Sequence, residues 1–146
     1  MKHFILFLAA LLITFIEIKA QAPHAGEVIK YKCINSFNKQ TKEPVPEDLN
    51  KIATFCFKSN GLIYDGLFYK FEGLKGSVYV YHTSESKYNG YYHGDYTIKI
   101  SVDFTRINRI SETAAVIDTY GTVSRISGVI VYTNDLNADL ENSGLY

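Results

Sequence analysis

The segment Tyr96–Thr105 (YTIKISVDFT) constrains the fold more than any other part of the chain. Tyr96, Ile98, Ile100, Val102 and Phe104 share one side of an extended backbone, and Thr97, Lys99, Ser101 and Asp103 share the other. A period of two sends successive side chains to opposite faces of a sheet, one suited to a core and one to water. A second run of this kind, Ser77–Thr83 (SVYVYHT), precedes it, and Asn89-Gly90 lies between them. Asn-Gly suits a two-residue hairpin turn because both central residues need positive φ. With that turn Tyr81 falls opposite Ile98 and Tyr79 opposite Ile100, apolar against apolar, as a defined register needs. Gly94 marks the position for a bulge.

The same alternation recurs along the chain. Glu27–Asn35 (EVIKYKCIN) sets Ile29, Tyr31 and Cys33 against Lys30 and Lys32. Ala53–Asp65 carries a second Asn-Gly pair, Asn60-Gly61, which predicts a hairpin with Phe57 opposite Tyr64 and Cys56 opposite Asp65. Gly66–Glu72 continues as strand, Gly73–Gly76 turns, and Thr113–Tyr120, Val123–Ile126 and Val129–Thr133 are further strands. Asn38–Lys51 reads as a polar surface loop in which Pro46-Glu47-Asp48 opens a short helix through Ile52, proline being tolerated at the first position. From Asn134 the chain is an acidic, polar tail, frayed or briefly helical. The 12 Tyr and 9 Phe suit pleated, half-buried surfaces. These patterns predict an all-β domain, an antiparallel sandwich or small barrel of about seven to nine strands. At most one short helix is expected, near residues 46–52.

Residues 1–20 read as a cleavable signal peptide. Lys2 gives the positive start, Phe4–Ile16 (FILFLAALLITFI) the apolar core and Ala20 the small residue at the cut. The apolar run is shorter than the roughly 20 residues a membrane-crossing helix needs. Residues 21–146 then make a single β-rich domain, secreted to the periplasm, cell surface or extracellular fluid, with no membrane span after cleavage. Export puts Cys33 and Cys56 where disulfides persist, so a Cys33–Cys56 bond is expected. The chain carries 15 Lys and Arg against 15 Asp and Glu. That balance gives no basic field for a nucleic-acid partner.

The stretch His82–Tyr96 (HTSESKYNGYYHGDY) concentrates groups that bind ligands. Tyrosines near a hairpin tip offer large contact area at low entropic cost, so Tyr88, Tyr91, Tyr92, His93 and Asp95 form the candidate ligand-binding set. His93-Gly94-Asp95 also suggests an acid/base pair. No Ser or Cys nucleophile motif accompanies it, and no catalytic residue is assigned. His82 and His93 fall well apart along the hairpin ladder, too far to share a metal ion. Asp135, Asn137 and Asp139 imitate the start of a calcium loop. Leu140 then stands where the glycine belongs and Tyr146 where the bidentate acid belongs. No phosphate-binding glycine loop is present, and no cofactor or metal is expected. Asp103, Arg106, Arg109, Glu112 and Asp118 read as surface charges.

A small exported antiparallel barrel is similar in architecture to the lipocalins. Their Gly-x-Trp near the first strand has no counterpart here, because the chain has no tryptophan. Architecture alone assigns no function. The expected function is a secreted, non-enzymatic binding domain for a small molecule, a glycan or a protein surface. The alternatives are a small secreted enzyme using His93 and Asp95, or an assembly protein pairing through an edge strand.

Overall fold

Each strand of the domain hydrogen-bonds to the next in sequence, and the last returns to the first. The computed structural model describes residue 23 and residues 25–84, 92–117 and 123–141; for 92–93, 113–117 and 123–126 it describes the backbone alone. The expected leader, residues 1–20, lies outside this range. The strands are β1 (Val28–Asn38), β2 (Ile52–Lys58), β3 (Gly61–Tyr64), β4 (Leu67–Lys75), β5 (Val78–Thr83), β6 (Tyr92–Ser101), β7 (Arg106–Ile117) and β8 (Val123–Thr133). All neighbours are antiparallel, which makes an eight-stranded up-and-down closed barrel rather than a sandwich.

The alternation decides what fills the barrel. Tyr31, Cys33, Phe55, Leu62, Tyr69, Ile98, Ile100 and Ile107 are fully buried, while Lys30, Lys58, Lys70 and Lys99 are exposed. This is apolar inside and charged outside, the inverse of the pattern a lipid-facing barrel needs. Among the described residues no helix is long and apolar enough to cross a membrane. The long hairpin has the expected register, Tyr81 opposite Ile98 and Tyr79 opposite Ile100. The described β5–β6 pairing has no bulge at Gly94; the nearby register shift is between β6 and β7, where Ala114 of β7 is the extra residue opposite His93 and Gly94.

Several local expectations are corrected. The strand predicted through Thr105 stops at Ser101, and Val102–Thr105 forms a turn in which Phe104 takes φ 59°. The Asp103 carboxylate accepts hydrogen bonds from Ser101 Oγ, from Thr105 N at 3.1 Å and from Thr105 Oγ1 at 2.8 Å. That local bonding competes with the ladder and ends the strand. The turn folds Phe104 over one barrel end, where its carbonyl accepts a 2.8 Å hydrogen bond from Tyr31 Oη and its ring stacks on Tyr79.

Asn60-Gly61 is not the centre of its turn. Lys58 pairs with Gly61 and Phe57 with Leu62, so Ser59-Asn60 makes the link, and Phe57 does not face Tyr64. Gly61 is needed for space: a Cβ there would stand 2.2 Å from the Tyr69 carbonyl oxygen. The turn with two positive φ values is Asp65-Gly66, at 51° and 74°, inside a segment read as continuous strand.

The expected short helix is a single 3₁₀ turn, Pro46–Asp48. β7 begins at Arg106 and not Thr113, and the two segments expected after it are one strand, with Gly128 paired to Ser111 inside the ladder. Residues 134–141 are neither frayed nor helical. Ala138 O accepts a 2.6 Å bond from Lys32 Nζ, and Glu141 N donates to Ile34 O at 3.0 Å. The Glu141 carboxylate also pairs with the Arg106 guanidinium.

The expected disulfide is absent: Cys33 and Cys56 are free thiols. Cys56 lies opposite Val28, five residues along β1 from Cys33. At about 3.3 Å per residue the two Cα atoms are more than ~15 Å apart, whereas a bonded pair needs less than about 7 Å. The thiols also face opposite ways, Cys33 into the core and Cys56 outward between the buried Phe55 and Phe57.

Candidate binding site inside the barrel

Phe104 covers one end of the barrel, and among the described residues a cavity lies toward the other. That second end carries the 39–51 connection and the Asp65-Gly66 turn, and there β5 ends and β6 begins. A cavity of about 620 Å³ opens between β2, β3, β7 and β8. Ile52, Ala53 and Ile130 give it apolar walls, Tyr64 and Tyr132 add hydroxyls, and Arg109 contributes a cation. Asp48, Lys51 and Asp65 also line it. Phe55 packs beneath, stacked on Tyr64 with centroids 4.6 Å apart and edge-on to Tyr132 at 5.6 Å.

The two tyrosine hydroxyls share a hydrogen bond at 2.6 Å. Burial raises the pKa of both, and Tyr64 is partly brought back by the Tyr132 hydrogen bond and by Arg109. Burial raises Tyr69 as well, again opposed by Arg109. All three phenols are therefore neutral donors at pH 7. Burial pulls the Arg109 pKa down, but the surrounding phenols Tyr69, Tyr64 and Tyr132 outweigh it, and the net shift is upward. Arg109 is a permanent cation set over the rings of Tyr96 (4.8 Å) and Tyr64 (5.7 Å).

Arg109 was expected on the surface. It lies two residues from the fully buried Ile107 on β7, in the same phase, and so points inward. That phase relation was the available signal. Tyr64, Tyr132 and Ala53 carry no chemistry in sequence that marks them, and only barrel closure brings them together.

Of the candidate set, Tyr88 and Tyr91 lie outside the described residues, and Tyr92 and His93 are placed on β6 by backbone alone. Asp95 is exposed on the outer wall, where its carboxylate bonds His82 Nε2. His82 lies opposite Thr97, so the contact is a cross-strand diagonal. Glu72 Oε1 stands 3.7 Å from His82 Nδ1. The carboxylates occupy opposite ring nitrogens and do not converge on a point. Among the described residues no group of three or more His, Cys, Asp or Glu is arranged to hold a metal ion. No protein-family model, no curated protein and no solved structure matches the chain.

Proposed function

We propose that the protein is an exported, non-enzymatic binding barrel that holds a small molecule in its interior. The observation that carries this reading is the cavity of about 620 Å³, a size typical of small-molecule sites. The lining sets the apolar Ile52, Ala53 and Ile130 beside a larger number of polar and charged side chains, and it lies at the mouth of a small barrel, a common place for a ligand. The His82–Asp95–Glu72 cluster supports catalysis poorly, since it sits on the outer wall and its two carboxylates hold opposite ring nitrogens of His82. A closed barrel has no free sheet edge, which leaves assembly through an edge strand without its template.

The neutral dye N-phenyl-1-naphthylamine, fluorescent when sheltered from water, tests the reading. One saturable site is expected, weakened about tenfold or more by Ala53→Trp, which fills the cavity. Ile130→Phe gives the same test if the first variant does not fold. Undiminished dye binding in a folded cavity-filled variant contradicts the proposal.

A further inference from the structure

We infer that the cavity selects a monoanionic, carboxylate-bearing apolar molecule, with Arg109 as its anchor; this rests on the binding reading above. A guanidinium has five donors in a planar fork. Among the described residues, that of Arg109 donates no hydrogen bond and joins no ion pair, although the side chain lies inside the barrel. Its Nε is buried without a partner. The rings of Tyr96 and Tyr64 stabilise the charge through their faces, a contact that is not a hydrogen bond.

Tyr69, which does not line the cavity, repeats the pattern. It is 0% exposed, and its hydroxyl has no hydrogen-bond partner. It lies beside the guanidinium in a geometry that falls short of a hydrogen bond. Buried polar groups are nearly always satisfied, so a cation that lines the cavity and lacks an acceptor points to one brought in from outside.

The charges lining the cavity set its valence. Arg109 and Lys51 are balanced by Asp48 and Asp65. Lys51 is already 3.8 Å from Asp48, which also accepts a 2.7 Å bond from Ser36 Oγ. A dianion such as a phosphate monoester meets no surplus of positive charge. A carboxylate matches the planar fork with two parallel N–H···O bonds. Ile52, Ala53 and Ile130 then take the hydrocarbon body.

The test compares 1-naphthoate with 1-naphthamide, nearly the same in shape and opposite in charge state at pH 7, each displacing N-phenyl-1-naphthylamine. The acid is expected to bind about tenfold or more tighter than the amide. Arg109→Met should bring the acid and the amide to equal affinity, each read against the dye's own affinity for that variant, and Arg109→Lys should keep part of the preference. Equal affinities in the unaltered protein, or a preference that survives Arg109→Met, overturn the inference and leave the binding reading standing. Failure of the dye itself to bind overturns both.

Discussion

At the scale of single residues, the phase of the alternation matters more than the residue type. Cys33 and Cys56 both sit in strand-like runs, yet one points into the core and one out of it. Burial first, and then the Asp48 charge, pushes the Cys33 thiol up to about 11. The thiolate is the reactive form, so Cys33 is inert at neutral pH. Titration of the native protein with a chromogenic disulfide reagent at pH 8 should therefore release one equivalent promptly, from Cys56. The second equivalent should appear only in denaturant, and no release in either state would mean that the two are bonded. The opposed faces were already readable from Ile29, Tyr31 and Cys33 on one strand and Phe55 and Phe57 on the other. The separation along β1 was not, because it depends on which strands pair. Arg109 repeats the lesson: its phase with Ile107 was in the sequence, but a lone charge reads as solvated until both neighbouring strands are known.

At the scale of elements, turn chemistry explains which hairpins were legible. The β5–β6 register could be derived because aromatic and β-branched residues occupy the inward positions of the paired stretch on both strands, and a slip of one residue would expose them all. The β2–β3 link misleads because Gly61 follows Asn60 for reasons of space and not of dihedral angle. Asp65-Gly66, with positive φ at both residues, carries the turn that Asn60-Gly61 imitates. Two substitutions separate the two roles of glycine. Gly66→Ala should cost about 1–2 kcal/mol, the penalty of a Cβ in the left-handed region. Gly61→Ala should cost about 1–3 kcal/mol by overpacking, since its Cβ would meet the Tyr69 carbonyl oxygen and the Phe68 ring. Chemical denaturation of each variant checks both figures, and a neutral Gly61→Ala would show that the close approach is not what selects glycine there.

At the scale of the whole molecule, closure creates the site. Eight strands make a lumen just wide enough for side chains to fill or to leave room for one small ligand. Here aromatic packing around Phe57, Tyr79 and Phe104 fills one end, while the other holds a cation among tyrosines. The tyrosine-rich segment from Tyr88 to Tyr92 drew attention in sequence because its composition is dense and local. The cavity could not, since Ala53, Tyr64, Arg109, Ile130 and Tyr132 come from four separate strands. The strands that flank the tyrosine-rich segment, β5 and β6, end and begin at the barrel end toward which the cavity lies. Backbone amide chemical shifts, followed by NMR as 1-naphthoate is added to the isotopically labelled protein, distinguish the two candidate sites directly. The expected result is saturable shifts concentrated at Ala53, Tyr64, Arg109, Ile130 and Tyr132. Shifts confined to residues 85–92, with the cavity residues unmoved, would contradict a ligand held inside the barrel.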